Sequence, residues 1–176
     1  PSGKLPSTFP RSVGQIPISY QLYNTGRPVT KPGDIRYKSA YIDSPNTPRY
    51  AFGHGLSYTT FKYDALKLSQ PTMGAGQSVQ LQCTVTNTGK VAGEEVVQLY
   101  LRDLVASVAR PLKELIDFQK ISLKPGETRT LTFTIDQNKL AFYNSKLEWK
   151  AEPGDFQLML GSASDDIRLE SKLTLQ

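Results

Sequence analysis

The sequence predicts an all-β protein: an antiparallel β-sandwich preceded by an extended, turn-rich N-terminal arm. From Tyr63 onward, apolar and polar residues alternate with a period of two, which is typical of half-buried strands. Turn signals separate these stretches, including Lys124-Pro125-Gly126-Glu127 and Glu152-Pro153-Gly154-Asp155. No stretch shows the 3.6-residue periodicity of an amphipathic helix.

The predicted strands follow one another at short intervals. The clearest has Val79, Leu81, Cys83 and Val85 on one face, with polar residues between them. The others are predicted at 94–102, 115–123, 131–135, 140–143, 147–151, 156–160 and 167–175. Seven or eight short strands within about 110 residues suit an immunoglobulin-like sandwich. Cys83 has no cysteine partner and Trp149 comes late in the sequence, so a true antibody domain is not expected.

Residues 1–49 form the predicted arm. Eight of the twelve prolines lie at or before Pro48, and proline disrupts helices and central strands alike. Leu5–Phe9 and Ile16–Leu22 are candidates for short strands, and Lys31–Asp34 for a tight turn. Ordering such a segment costs on the order of 100 kcal/mol of conformational free energy. Because the arm has few aliphatic residues, it must pack on another surface to be ordered.

The net charge of +5 is concentrated in the arm and the joint that follows it. Residues 1–62 carry eight Lys and Arg against only Asp34 and Asp43, whereas residues 63–176 carry 13 basic and 14 acidic residues. No two basic residues are adjacent in the arm, whereas nucleic-acid-binding patches usually cluster their charge. Docking of the arm on an acidic protein surface fits this distribution as well, and no nucleic-acid partner is expected. No apolar run reaches the roughly 18 residues of a membrane span.

Tyr50–Phe61 joins the arm to the sandwich. It places Gly53, His54 and Gly55 between aromatic residues, a pattern that predicts a bent backbone held by ring packing. A hinge, a docking clip and the rim of a site all fit this pattern. For a packed joint we predict that Phe52, Leu56, Tyr58 and Phe61 are largely buried, and that His54 is incidental.

Few residues suit catalysis. Glycoside hydrolysis needs two carboxylates about 5–10 Å apart, but Glu94–Glu95 and Asp165–Asp166 are adjacent pairs that we expect to be solvated. Asp34 and Asp43 are predicted to be structural or to lie at the rim of a cleft. His54 is the one neutral-pH acid or base, and Ser57 lies outside a nucleophile-elbow motif. The arm tyrosines are interpreted as docking anchors in preference to rings that stack on sugars.

Neither a metal nor a cofactor is predicted. One cysteine and one histidine cannot provide a zinc site of the usual composition. Gly53 and Gly55 are not followed by the third glycine and the helix of a nucleotide-binding loop. Pro1 in place of an initiator methionine is expected of a piece of a longer or processed chain.

In order along nearly its whole length, the sequence resembles the C-terminal end of family 3 glycoside hydrolases of the three-domain, bacterial β-glucosidase type. The stretches that carry the resemblance are Gly3–Pro6, Thr8–Pro10, Gly14–Pro17, Asn24–Pro28, Tyr50–Thr59, Val85–Gly89, Gly93–Tyr100, Ser107–Val108, Arg110–Pro111, Lys113–Leu115, Phe118–Lys120 and Pro153–Phe156. The joint departs slightly, because the family has an aromatic residue as often as histidine between the two glycines.

The resemblance implies a domain order. Residues 1–49 would be the end of an α/β sandwich domain, 50–62 a linker, and 63–176 a fibronectin type III-like domain. In that family the nucleophile and the acid/base belong to the preceding domains, so no catalytic residue is expected in this chain. The substrate-binding residues are unknown.

The resemblance also implies a function. The chain would be an inactive, structural part of a retaining β-glucosidase of carbohydrate metabolism, periplasmic or secreted. Its partners would be the upstream catalytic domains, with a homodimer also possible. The alternatives are a non-catalytic carbohydrate-binding module and a module for assembly through its sheet edges.

Overall fold

A computed structural model describes residues 1–29 and 33–176. The turn predicted at Lys31–Asp34 therefore begins outside the described residues, and only its end, with Gly33 at φ +83°, can be placed. Within the described ranges, no helix has the length and apolar character needed to cross a bilayer.

Ten strands and one short helix follow the arm, whose described residues contain one 3₁₀ turn, at Val13–Gln15. The strands are β1 Phe61–Leu68, β2 Thr72–Met73, β3 Ser78–Asn87, β4 Gly93–Asp103, β5 Glu114–Leu123, β6 Thr128–Asp136, β7 Phe142–Tyr143, β8 Trp149–Lys150, β9 Gly154–Ala163 and β10 Asp166–Leu175. The helix, α1, is Gln137–Leu140.

Two sheets form the sandwich. One has three strands in the order β1-β3-β6, and the other has five in the order β2-β10-β9-β4-β5. All neighbours are antiparallel except β2 and β10, which pair in parallel through Thr72–Thr174 and Met73–Leu175. Strands β7 and β8 form a separate hairpin outside both sheets. The predicted all-β sandwich is confirmed.

The core lies between the two sheets and is built from the inward residues of each strand. Val79, Leu81, Cys83 and Val85 of β3 are all at most 1% exposed, as their alternation predicted. Across the core, β4 contributes Val97, Leu99 and Leu101, and β9 contributes Phe156, Leu158 and Leu160. Each such side chain adds about 1.5–3 kcal/mol on burial, so the alternating strands account for the cohesion of the sandwich.

Side chains close one lateral opening of the sandwich, between the outer strands β5 and β6. The Gln119 side-chain amide donates to the carbonyl oxygen of Thr132 (2.8 Å), and Lys139 Nζ donates to that of Thr134 (2.7 Å). Lys139 also pairs with Asp117 Oδ2 at 2.5 Å. Outward carbonyl groups of β6 are thus hydrogen-bonded although no strand lies beside them.

Several predicted elements differ from the structure. Strand β1 was not predicted, and the strand predicted at 140–143 is wrong at its start because Leu140 ends α1. The Asp136 carboxylate accepts from the backbone N–H of Lys139 (3.0 Å) and caps that helix. Of the strand predicted at 147–151, only Trp149 and Lys150 are extended and paired.

No strand forms at Leu5–Phe9 or Ile16–Leu22; the described arm residues make two isolated β-bridges, Phe9 with Tyr50 and Tyr23 with Pro111. Proline explains this, since Pro6, Pro10 and Pro17 cannot donate to a ladder.

Candidate functional site

The joint between the arm and the sandwich is the most elaborately bonded part of the molecule, and it begins with an arm segment. Residues 5–9 run alongside residues 49–54. The N–H of Leu5 donates to the carbonyl of His54 (2.9 Å), and the N–H of Gly53 donates back to that of Leu5 (2.8 Å). The N–H of Phe9 donates to the carbonyl of Tyr50 (2.8 Å). The start of the arm is thus fastened to the joint.

A buried glutamine organises the middle of the arm. Gln15 is 1% exposed. Its Oε1 accepts from the N–H of Arg11 (2.6 Å), and its Nε2 donates to the carbonyl of Pro45 (2.8 Å). Since Pro45 lies 30 positions further along the chain, this side chain substitutes for the sheet hydrogen bonds that the prolines prevent.

The joint is attached to the five-stranded sheet through Gln98 of β4, which is 3% exposed. Its Nε2 donates to the carbonyls of Gly53 (3.2 Å) and Ser162 (2.6 Å), while its Oε1 accepts from the Tyr100 hydroxyl (2.5 Å). Gly53 has φ +79°, and a Cβ built there would lie 2.1 Å from Gln98 Oε1. Only glycine fits this approach. We call Gly53, Gln98, Tyr100 and Ser162 the latch.

Aromatic rings cover the latch from the arm side. The rings of Tyr20 and Phe52 stack with centroids 4.1 Å apart, and Tyr20 meets Tyr100 edge-on at 6.2 Å. The carbonyl of Phe52 accepts from the N–H of Ser164 at 2.9 Å. The outer side of β4, which ordinarily faces water in a sandwich, is therefore buried under the arm.

Two ion pairs hold the ends of the joint. Lys4 in the arm pairs with Glu95 in β4 at 3.0 Å, with the side chains 18% and 7% exposed. In β10, Arg168 pairs with Asp166 at 2.8 Å and donates to the carbonyl of Phe61 at 2.7 Å. The Arg168 guanidinium also lies 4.6 Å from the ring centroid of Tyr63. Charge-assisted bonds of this kind fix position strongly when partly buried.

Asn87, at the end of β3, connects the joint with two loops. It is fully buried, and its Oδ1 accepts from the Thr59 hydroxyl at 2.6 Å. Its Nδ2 donates to the carbonyls of Val91 (2.8 Å) and Leu123 (3.0 Å). All the hydrogen-bonding capacity of this buried amide is satisfied, since Oδ1 also accepts from Gly89 N–H.

A cavity of about 350 Å³ lies where the arm, the joint and the β9–β10 turn meet. Both acidic pairs line it, together with His54 and Ser57. The structure thus brings together Glu94–Glu95 and Asp165–Asp166, which the sequence analysis treated as unrelated. The expectation that they are solvated is wrong for Glu95, which is 5% exposed, because Lys4 covers and pairs with it.

The electrostatics of this cavity do not suit glycoside hydrolysis. A hydrogen bond from Arg168 lowers the pKa of Asp166, and one from Lys120 lowers the pKa of Glu94. A general acid for glycoside cleavage needs the opposite shift, toward neutral pH. Glu94 and Asp166 are held as anions by neighbouring cations, which is a structural arrangement.

His54 takes part through its backbone and through ring packing. Its carbonyl accepts from Leu5 and its N–H donates to Ala51 (3.1 Å), while its ring lies 5.2 Å from that of Tyr50. These contacts hold the bend of the joint.

The predicted burial of the joint side chains is wrong in two of four cases. Leu56 is 72% exposed and Tyr58 is 86% exposed, whereas Phe52 and Phe61 are half-buried. After Gly55 the chain turns outward from the sheet, and burial resumes only at Thr59. A linker-packing role for all four residues remains a prediction, and for Leu56 and Tyr58 it requires a surface outside this chain.

The other candidates lie apart from the joint. Asp34 and Asp43 are exposed on the arm. Cys83 is buried in the core, where burial raises the pKa of its thiol to about 11. Among the described residues, no three His, Cys, Asp or Glu side chains are grouped so that they could hold a metal ion.

Sequence reasoning missed the residues that make the main buried hydrogen bonds at the joint. Gln98 and Tyr100 alternate with the core residues of β4, so the period-two pattern places them on the face away from the core. Their cover comes from Phe52 and Tyr20, at least 46 positions away, which no local pattern indicates. The positive signal was the pair of glycines at 53 and 55, which did mark a close backbone approach.

Comparison with known proteins decides what this arrangement belongs to. Residues 95–164 match the family model of the fibronectin type III-like domain. A periplasmic β-glucosidase of Salmonella typhimurium is 49% identical over 168 residues, which are 96% of this chain and 22% of that protein. The crystal structure of a Listeria innocua β-glucosidase in complex with isofagomine superimposes with a TM-score of 0.93 at 40% identity. The superposition covers 99% of this chain and 24% of the Listeria innocua chain.

The chain is the counterpart of the C-terminal region of family 3 glycoside hydrolases. A β-xylosidase of Formosa agariphila is also similar, at 44% identity over 97% of this chain and 23% of that protein. The chain thus spans roughly a quarter or less of the length of these relatives. Within this family 3 region, Gln98 and Ser162 lie inside the fibronectin type III-like match, whereas Gly53 precedes it. The latch therefore joins that domain to the segment before it.

Proposed function

We propose that this chain is the non-catalytic C-terminal part of a retaining β-glucosidase, which hydrolyses terminal, non-reducing β-D-glucosyl residues. The similarity to the periplasmic β-glucosidase of Salmonella typhimurium over 96% of this chain supports the assignment. The paired carboxylates of the joint support the absence of catalysis in this part. The nucleophile and the acid/base would belong to the upstream domains, and no cofactor is needed for such hydrolysis.

One observation carries the proposal: the arm is fixed to the sandwich on one side and uncovered on the other. Its inner side supplies Tyr20 and Phe52 to the latch. Its outer side exposes Val13 (84%), Ile42 (92%) and Tyr37 (73%) to solvent. Apolar side chains exposed in this number on one segment mark a surface that another part of a protein covers. The domain that the arm completes would be that part, in preference to a second copy.

This arrangement gives the fibronectin type III-like domain the role of a brace. In our proposal, residues 1–49 complete the preceding α/β domain, residues 50–62 link the two, and residues 63–176 form the brace. Strand β1 begins at Phe61, so the brace meets the linker two residues before that boundary. Retaining hydrolysis requires two carboxylates about 5–5.5 Å apart. In our proposal they belong to the upstream domains, so a fixed edge of one of these domains protects that distance.

The site of action would be the periplasm or the exterior of the cell. The name of the Salmonella typhimurium relative supports this placement. The exposed apolar side of the arm would then be covered within the same polypeptide, and its basic residues would face acidic groups of the domain it completes.

An activity assay tests the proposal. The 176-residue chain alone should not hydrolyse an aryl β-glucoside, whereas the chain expressed together with the upstream domains of a close relative should. Family members are expected to turn over at about 10 s⁻¹, a typical enzyme rate. The proposal would be refuted if the chain alone turned over faster than about 0.01 s⁻¹ and controls excluded a trace of contaminating enzyme as the source.

A carbohydrate-binding role in addition to the brace is favoured by one specific observation. Two aromatic rings, Tyr143 and Trp149, face solvent side by side on the β7–β8 hairpin.

A further inference from the structure

The β7–β8 hairpin presents an aromatic pair on its outer face. Tyr143 and Trp149 are directly opposite each other in the strand register. Their ring centroids are 5.0 Å apart and the ring planes are inclined by 59°. Tyr143 is 64% exposed and Trp149 is 53% exposed. The two rings therefore form a V-shaped cradle, and more than half of each residue is accessible to solvent.

Hydrogen bonds and packing hold the hairpin that carries the cradle in place. Asn144 is 8% exposed, and its Oδ1 accepts from the N–H groups of Lys146 (2.9 Å) and Glu148 (3.1 Å). On the opposite face of the hairpin, Phe142 is 1% exposed and lies 4.4 Å from the guanidinium of Arg110. The hairpin is thus anchored from below while its aromatic face stays free. A pre-organised aromatic surface binds with little loss of conformational entropy.

The surroundings of the rings are polar. Glu148 and Lys150 form an exposed ion pair at 3.3 Å, with both side chains about half accessible. Ser145 and Lys146 are also exposed, and Leu147 is the one apolar residue at the tip. The centre of a protein–protein interface is depleted in charged residues. Two exposed aromatic rings on a hairpin whose other exposed residues are mostly polar suit instead a ligand with apolar C–H faces and many hydroxyl groups.

We propose that Tyr143 and Trp149 bind a pyranose ring of a β-linked gluco-oligosaccharide. The inference rests on the proposed function for the choice of sugar. One face of the pyranose would lie on the Trp149 ring, with Tyr143 against its edge.

The arm tyrosines are less suitable for this role. Tyr20 is stacked in the latch, and Tyr50 already contacts the rings of Phe9 and His54. Tyr37 is 73% exposed but has the guanidinium of Arg36 5.2 Å from its ring centroid. These three rings are therefore less suited to stacking on a sugar than the aromatic pair of the hairpin.

Trp149 is the single tryptophan of the chain, so its fluorescence reports directly on the site. Titration of the 176-residue chain with cellotetraose and with laminaritetraose should change the emission saturably. One stacked ring buries little area, so half-saturation is expected at about 1–10 mM. Retardation in native gels that contain laminarin or hydroxyethylcellulose would show that the site binds a sugar ring of a polymer as well as one of a free oligosaccharide.

Four variants locate the site. Tyr143→Ala should raise the half-saturation concentration about tenfold, Tyr143→Phe should keep it, and Tyr37→Ala in the arm should leave it unchanged. Trp149→Ala, followed by calorimetry, should lose the heat of binding while the far-UV circular dichroism stays the same. A flat titration up to about 50 mM, or equal affinity for the parent chain and Tyr143→Ala, overturns the proposal. Neither result bears on hydrolysis by the complete enzyme, so the proposed function stands or falls separately.

Discussion

Replacing Gly53 by alanine should break the latch, and the structure allows the cost to be worked out. At φ +79° an alanine is less stable than glycine by about 1–2 kcal/mol, because its Cβ crowds the following carbonyl. The added Cβ would also lie 2.1 Å from Gln98 Oε1, so the buried amide must move.

Moving Gln98 leaves buried groups without partners. Its bonds to the carbonyls of Gly53 and Ser162 and to the Tyr100 hydroxyl are all in the interior. Each buried polar group left unpaired costs about 1–3 kcal/mol. With one or two groups unpaired, Gly53→Ala should lower the free energy of unfolding by about 3–5 kcal/mol. For a chain of this length, that lowers the melting temperature by about 10 °C.

The assay is urea unfolding followed by circular dichroism, with Gly126→Ala as the matched control. Gly126 has φ +74°, and no atom lies within 4 Å of a Cβ built there. The control therefore carries the backbone cost alone, about 1–2 kcal/mol. If both variants lose the same stability to within about 0.5 kcal/mol, Gln98 does not hold the joint and the latch is wrong.

Three further outcomes follow from the same contacts. Asn87→Ala should cost about 3 kcal/mol in urea unfolding, because the amide satisfies four buried or half-buried groups; a loss below about 1 kcal/mol would contradict its connecting role. Arg168 lowers the pKa of Asp166, so this pair stabilises the fold above the unfolded carboxyl pKa and the contribution disappears as pH falls through the lowered value. The parent chain should accordingly lose stability more steeply than Arg168→Met below about pH 4, and parallel pH profiles would argue against the pair. Cys83 should resist a thiol reagent at pH 8 in the native chain and react at once in urea, since it is fully buried and burial raises its pKa to about 11; rapid native labelling would show an open core.

The sandwich could be predicted from the sequence because its strands carry their own signal. In β3 the inward residues Val79 to Val85 alternate without interruption, and the structure buries all of them. Strand β1 escaped prediction because its pattern is broken: Ala65 has φ +51°, and the register with β3 shifts between Asp64 and Lys67. A bulge of this kind removes the strict period of two on which the prediction depends.

The position of the joint could be predicted from the sequence, but the burial of its side chains could not. The glycines at 53 and 55 indicated a bend, and Gly53 does have a left-handed conformation. Which rings are buried there depends on the path of the arm, set by the hydrogen bonds of Gln15 across 30 positions. Leu56 and Tyr58 were therefore predicted to be buried from composition alone, and both are exposed.

The closure of the β5–β6 side bears on how copies of the chain meet. An unpaired outer strand normally offers its carbonyl groups to a strand from another molecule, which starts filament growth or aggregation. In β6 the carbonyl groups of Thr132 and Thr134 are already bonded to Gln119 and Lys139, and Lys139 would bring a charge into any such contact. This side of the sandwich is consequently shielded from polymerisation by strand addition. The chain is therefore not expected to assemble through this particular sheet edge.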